Sequence, residues 1–247
     1  YPARGPVDPA WAENRVTDAD AAAIQVPSLR AEALFDISAR SATASFRITQ
    51  EACRAAGASD QYIVLTNGQH CSFGKETRKT KIGERPLGDA RFDWDDTYLA
   101  FYDHYLKGTG AAPDIAPVTA YMAGANEWRA FDALPDPAVP SEGPDHRTLY
   151  LSSGTGANSL DGDGMLVDTI PSAGDDQYHY DPADPVISHG GEIYGVGKDQ
   201  IDGSFDQRGI EARKDVLVFT SEPLTEDLPV FGYARAVLFV GSDAPDT

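Results

Sequence analysis

Cysteine is nearly absent from the 247 residues, with Cys53 and Cys71 the only two. Two thiols cannot build a disulfide framework or a four-thiolate metal site. Long apolar runs are missing as well. No stretch approaches the 18 consecutive apolar residues of a spanning helix, so no membrane span is expected. Basic residues are scarce: 20 Lys and Arg stand against 39 Asp and Glu, a formal charge of −19. Such a surface repels a phosphate backbone, which excludes nucleic acid as a partner.

What is present reads as globular. Hydrophobic residues make up 41% and charged ones 24%, values that exclude disorder and collagen-like repetition. The length suits one large domain or two ordinary ones. Residues 1–130 hold 17 acids and 14 bases, whereas 131–247 hold 22 acids and only 6 bases. The charge changes where the chain turns Pro-rich, at Leu134-Pro135-Asp136-Pro137-Ala138-Val139-Pro140. Two bodies joined by that linker is the simplest organisation.

Residues 1–26 are polar and Pro-bearing, with Trp11 as one aromatic anchor. A strand is expected from Ser28 to Phe35, ending at Asp36, although Arg30 and Glu32 interrupt the apolar run of a buried parallel strand. Ala42, Phe46, Thr49 and Cys53 repeat at helical spacing, so a helix is expected over 38–56 with Gly57 as its stop. Gln61–Thr66 is a compact strand-forming run and leads into Asn67-Gly68-Gln69-His70-Cys71. Lys75 to Arg85 reads as a solvated basic loop. A second helix follows from Asp95 to Lys107, with Tyr98, Phe101, Tyr102, Tyr105 and Leu106 as its buried stripe. The order strand, helix, strand, helix argues for a βαβ unit with parallel strands.

Beyond residue 108 no helical period is visible. Val118–Met122, Thr148–Leu151, Met165–Ile170, Val216–Thr220 and Ala234–Val240 are short strand-like runs between Gly- and Asp-rich turns, the pattern of a β-sandwich or jelly roll. Asp161-Gly162-Asp163-Gly164 reads as a hairpin turn; it lacks the oxygen ladder and closing Glu of a calcium loop. No metal site is expected among His104, His146, His179 and His189, which lack paired ligand spacing.

The chemistry concentrates at Asp36 and His70. Each follows a strand, and a helix separates the two strands, which puts both side chains on one edge of a parallel sheet. There an Asp can hold an imidazole in its working tautomer. An N-cap role for Asp36 and an ordinary loop role for His70 are the plain alternatives.

The surrounding segments resemble a family. Pro27 to Asp36, Gly68-Gln69-His70, Phe101 to Gly108 and Tyr121 to Arg129 are similar to the closing strands and helices of the cocaine esterase, α-amino-acid ester hydrolase and X-Pro dipeptidyl-peptidase superfamily. Tyr180-Asp181-Pro182-Ala183-Asp184-Pro185-Val186 with Gly190-Gly191, and Asp206-Gln207-Arg208 running to Asp215–Leu224, resemble its jelly-roll hallmarks. The resemblance implies the C-terminal part of an α/β-hydrolase sheet followed by an incomplete jelly-roll β-sandwich. It divides the chain into 1–26 (end of a cap or linker), 27–134 (hydrolase part) and 135–247 (truncated jelly roll).

It also implies serine hydrolysis of an ester, amide or X-Pro-type peptide bond through an acyl-enzyme, with Asp36 and His70 as triad members and no cofactor. The chain holds no Gly-x-Ser-x-Gly elbow. It begins at Tyr1 and stops at Thr247 where the family continues, so it is expected to be a piece of a longer enzyme, inactive alone. Its expected partners are a small ester, amide or peptide substrate and the remainder of the hydrolase domain, with homo-oligomers possible. In the family a Pro-Trp pair precedes the histidine where Gln69 stands here.

Two other readings stand beside this one: a non-catalytic jelly-roll binding module, and one chain of a nicked two-chain enzyme. Cys53 and Cys71 are expected to be disulfide-bonded. The bridge would favour a periplasmic or secreted bacterial parent, with free thiols and a cytoplasmic location as the alternative.

Overall fold

The computed structural model describes residues 9–10, 17–24, 26–57, 60–136, 146–172, 174–192 and 202–244. Trp11 and the linker beyond Asp136 lie outside them. The chain divides into two compact units. One is Tyr1–Leu134 with Glu192–Ser204, the other Pro135–Gly191 with Phe205–Thr247.

The first helix with described bounds is the five-residue α1 (Asp18–Ala22), which starts in a capping box between Thr17 and Asp20. A sheet of four strands follows, built from β1 (Ser28–Ala33), β2 (Gln61–Thr66), β5 (Val118–Met122) and β6 (Glu127–Phe131) in the order β1-β2-β5-β6. The first three strands run parallel and β6 returns antiparallel. Every residue of β2 is buried, as a central strand between two parallel neighbours must be.

The crossover between β1 and β2 is α2 (Ala39–Ala55). Its buried face is Ala39, Phe46, Thr49, Gln50 and Cys53, and Gly57 at φ +61° ends it. Phe46 is fully buried, a position where truncation to Ala typically costs about 3–5 kcal/mol. The polar pair in β1 has a local explanation. Arg30 lies with its guanidinium 5.5 Å over the Phe46 ring and donates to the hydroxyls of Ser45 and Thr49 on α2. Glu32, two residues on and so on the same face, meets Ser38 at the start of α2. A strand facing a hydroxyl-rich helix tolerates charges that a Val- and Leu-rich helix would not.

The segment read as a basic loop forms a hairpin instead, β3 (Thr80–Ile82) with β4 (Arg85–Gly88). It buries Ile82 and Leu87 in a cluster with Ala90 and Tyr121, against which Phe35 and Trp128 pack. Two apolar residues five apart in a basic stretch give no period, which is why the hairpin is invisible in the sequence. The second long helix, α3 (Trp94–Tyr105), starts at Asp93, whose carboxylate accepts from the Asp96 N–H. Its buried face is Trp94, Thr97 and Phe101, while Tyr102 and Leu106 are exposed. Tyr105 stays on the docked side by donating to Asp60 at 2.6 Å and meeting the Tyr62 hydroxyl at 3.0 Å.

The second unit contains less regular structure than a sandwich pattern implies. Among the described residues its only sheet pairs β7 (Tyr150–Ser152) with β8 (Met165–Val167). Val216–Thr220 forms no strand but two isolated bridges, Leu217 with Asn158 and Thr220 with Met165 of β8. Val237 to Val240 forms no strand and is exposed. A single helical turn, α4 (Arg208–Glu211), occurs where no helical period was visible.

Carboxylates organise this unit's loops. Asp163 accepts from the N–H groups of Gly154, Thr155 and Gly156 and from the Thr155 hydroxyl, at 2.7–3.1 Å. Asp176 accepts from Ala157 N–H and the Ser153 hydroxyl. Arg213 joins the two hallmark segments by donating to Asp184 in one and Asp215 in the other. The Asp161–Gly164 run is therefore no simple hairpin turn. Its Gly164 is required by crowding, because a Cβ there would lie 2.0 Å from the Val218 carbonyl oxygen.

Both cysteines are free, which corrects the expected bridge. Cys53 lies in the last turn of α2, a helix that has returned to the starting edge of the sheet. Cys71 follows the far end of β2. Six residues of strand separate those edges by about 17 Å, well beyond the ~4.4–6.8 Å Cα spacing of a disulfide. The buried Cys53 thiol donates instead to the Ile24 carbonyl at 3.3 Å. The argument for an oxidising compartment that rested on the bridge goes with it.

Two outcomes follow. Thiol titration without reductant should find one reactive thiol in the native chain, Cys71, and two after denaturation. The second concerns acid. The hydrogen bonds from Thr155 and its neighbours hold the Asp163 carboxyl at about 2. A depressed carboxyl contributes stability above its unfolded value near 3.9 and loses it as pH falls toward its folded value. Amide-exchange protection of residues 154–156 should therefore survive at pH 4 and fade between about 4 and 2, and Asp163→Asn should lower it above that range.

Candidate active site

Asp36 and His70 are brought together by the sheet itself. The β1–β2 ladder, in register from Ser28 opposite Gln61 to Ala33 opposite Thr66, runs on past both strand ends. Leu34 N–H donates to the Thr66 carbonyl at 2.9 Å and Phe35 N–H to the Gly68 carbonyl at 3.1 Å. The two loops thus leave the same edge side by side, with Phe35 pinned in the hairpin cluster. His70 Nδ1 lies 2.7 Å from Asp36 Oδ2. The Asp36 side chain is 6% exposed and that of His70 42%, so the carboxylate is sheltered and the ring faces outward.

Asp36 is well supplied with donors. Its Oδ1 accepts from the Ser38 N–H at 2.9 Å. Burial pushes its carboxyl up, but the Ser38 N–H, the His70 ring and the Ser38 hydroxyl outweigh burial and hold it below the usual carboxylate range. An ionised Asp36 against Nδ1 selects the Nδ1–H tautomer, which leaves Nε2 as the ring's basic nitrogen. The helix-start alternative is not realised: the N-cap of α2 is Ser38, which makes no side-chain cap, and Asp36 accepts from the Ser38 N–H in the turn before the helix.

The histidine loop is fixed by contacts that sequence reasoning missed. Gln69 N–H donates to the Ser72 hydroxyl at 2.9 Å, and the Gln69 amide donates to the carboxylate and carbonyl of Asp202 at 3.0 and 3.2 Å. Asp202 is almost fully buried, yet it is 133 residues away and carries no local signal. Asn67 donates to the Tyr121 carbonyl at 2.6 Å. Cys71, directly after the histidine, adopts φ +55°, a left-handed conformation that costs a non-glycine residue about 1–2 kcal/mol. Behind the loop lies a cavity of about 210 Å³ bounded by Gln69, Ser72, Glu76, Leu87, Tyr121 and Trp128.

The other sequence-noted histidines are not gathered at this pair. His104 meets the Gly110 carbonyl at the end of α3, and His189 lies beside the Phe205 ring in the second unit. Among the described residues no group of three or more His, Cys, Asp or Glu side chains forms a metal-binding cluster, and no helix is long and apolar enough to cross a membrane.

Residues 111–247 match the family model of the X-Pro dipeptidyl-peptidase C-terminal non-catalytic domain. The chain belongs to that family. It is 39% identical over 152 residues to the cocaine esterase of Rhodococcus sp. (strain MB1 Bresler), covering 61% of this chain and 25% of the esterase. Its fold resembles an aminopeptidase from a marine sediment Thaumarchaeota archaeon, with a TM-score of 0.61, 25% identity and coverage of 85% of this chain and 33% of that one. It also resembles an α-amino acid ester hydrolase, with a TM-score of 0.60, 25% identity and coverage of 91% and 36%. The chain thus spans about a quarter of the curated esterase and a third of each solved structure. It corresponds to the C-terminal piece of this esterase and peptidase superfamily. Asp36 and His70 precede the matched non-catalytic domain in the chain.

Gly68 should prove critical to the pair. A Cβ at this position would lie 2.2 Å from Ser72 Oγ, so Gly68→Ala must expel the hydroxyl that receives the Gln69 N–H. The loss of that bond should cost about 1–2 kcal/mol, read by urea denaturation, and should shift the His70 ring resonances in NMR spectra.

Proposed function

We propose that this chain supplies the aspartate and the histidine of a serine hydrolase that cleaves ester or amide bonds through an acyl-enzyme. The reading rests on one observation, the 2.7 Å contact between a sheltered Asp36 carboxylate and the half-exposed His70 imidazole. His70 Nε2 takes the proton from a serine hydroxyl carried by the remainder of the hydrolase domain, outside this sequence. It then returns that proton to the departing alcohol or amine. Asp36 does not itself gain the proton; it orients the ring and stabilises the imidazolium. No step calls for a metal or an organic cofactor.

The names of the similar proteins favour a small substrate. An esterase, an ester hydrolase and an aminopeptidase share acyl transfer to water and differ in leaving group. The second unit is taken as the family's jelly roll, whose acidic, carboxylate-organised loops make it a structural companion to the catalytic part rather than a catalytic body. Residues 27–134 then form the closing part of the hydrolase sheet, and 135–247 the start of the jelly roll.

Activity assays separate this reading from a purely structural one. The chain alone should give no turnover and no labelling by a fluorophosphonate probe. In a full-length parent, His70→Ala should lower kcat by about four to six orders of magnitude, and Asp36→Asn by about 10⁴-fold through the wrong tautomer. Wild-type turnover in the His70→Ala parent would overturn the assignment.

A further inference from the structure

Asp202, Gly203 and Ser204 come late in the chain, yet they pack against the histidine loop. The chain leaves the first unit after Leu134 and re-enters it with Glu192–Ser204. Asp202 is 1% exposed, and its carboxylate and carbonyl accept from the Gln69 amide at 3.0 and 3.2 Å. The same strip is fastened to the β3–β4 turn. Ser204 bridges Gly83, and its carbonyl accepts from the Glu84 N–H at 2.8 Å. Gly203 sits at φ +121°, and a Cβ there would lie 2.6 Å from the Gly83 nitrogen. The two backbones approach so closely that only glycine fits.

We propose that Asp202 is a positioning residue for His70, although it lies within the stretch that matches a non-catalytic domain. The consequence for catalysis rests on the serine-hydrolase reading above; the clasp itself does not. Gln69 directly precedes His70, so its bond to Asp202 fixes the peptide from which the imidazole hangs. The other end of the strip fixes the hairpin. Ile82 and Leu87 of that hairpin share a cluster with Phe35, the residue before Asp36. Three residues thus hold the neighbours of both members of the pair.

The histidine loop has need of such a tether. Cys71 at φ +55° holds a conformation that persists only where its surroundings over-determine it. Gln69 N–H to Ser72 Oγ, and Ser72 N–H to the Gln69 carbonyl at 3.1 Å, fold the loop on itself. They set its shape and not its place. Asn67 and Gly68 hold its start, on Tyr121 and Phe35. The bond from Gln69 to Asp202 then fixes the residue next to the ring. Because the Asp202 carboxylate is buried, releasing Gln69 removes a donor that solvent cannot supply, which keeps the loop closed.

The test reads the ring directly. Nitrogen-15 spectra of His70 in this 247-residue chain, at alkaline pH, report which ring nitrogen carries the proton and so how firmly Asp36 holds it. Asp202→Ala removes the carboxylate acceptor. Gln69→Leu removes the donor and keeps the backbone bond to Ser72. Each should move both ring nitrogen shifts toward those of a free imidazole, and the double variant no further than either alone. Asp202→Asn keeps an acceptor in the same place and should retain the wild-type shifts. In a full-length parent, Asp202→Ala should lower kcat about 10–100-fold with KM unchanged. A mere anchor for the strip would lower stability and leave the ring alone. Unmoved shifts in a folded Asp202→Ala chain, or additive shifts in the double variant, would overturn the proposal. So would wild-type kcat in an Asp202→Ala parent whose His70→Ala counterpart is inactive. If Asp202→Ala does not fold, Gln69→Leu and Asp202→Asn decide, with unmoved shifts in the first or moved shifts in the second counting against. Moved shifts in this chain together with full activity of a His70→Ala parent would leave the clasp standing and sink the hydrolase reading instead.

Discussion

The parallel pairing of β1 with β2 is the constraint on which the rest of the first unit depends. Parallel neighbours cannot be joined by a tight turn, so the chain must cross over through α2 and start again at the same edge. That requirement sends both strand ends to one side of the sheet. Because the ladder continues through Leu34 and Phe35 into the histidine loop, Asp36 and His70 leave a single hydrogen-bonded frame. Their 2.7 Å contact is a consequence of strand register, not of two flexible loops finding each other.

Much of this frame was legible in the residues. Gln61–Thr66 is the compact buried strand its residues predict. Phe46, Thr49 and Cys53 of the predicted helical repeat are buried on α2, although Ala42 is only half-buried. Gly57 ends the helix as a left-handed glycine should. The pairing of Asp36 with His70 followed from two strand ends and an intervening helix. What escaped was held by contacts without a period. The β3–β4 hairpin depends on two apolar side chains in a basic stretch. Asp202 reaches Gln69 across 133 residues of chain, a separation over which sequence spacing carries no information. The expected bridge fails for a geometric reason: α2 runs back along the sheet and carries Cys53 to the edge opposite Cys71.

Glu32 and Arg30 show how an apparent flaw in a pattern carries meaning. Charged residues in a central-looking strand argue against burial when only the strand is considered. The facing helix supplies Ser38, Ser45 and Thr49 at matching heights, and the pair is satisfied. The pattern that mattered was joint, hydroxyls on α2 against charges on β1.

The second unit keeps its order by different means. Among the described residues its buried apolar side chains are few, and its loops wrap around Asp163, Asp176 and Asp215, each anchored to backbone amides, a hydroxyl or a guanidinium. Part of the acidic excess after residue 131 thus holds loops in place rather than only facing water. Hydrocarbon packing is indifferent to protons, whereas the loop 154–156 is wrapped around the Asp163 carboxylate, held at about 2. Strong acid takes from that loop what a chelator takes from a loop built on a metal ion, the charge at its centre.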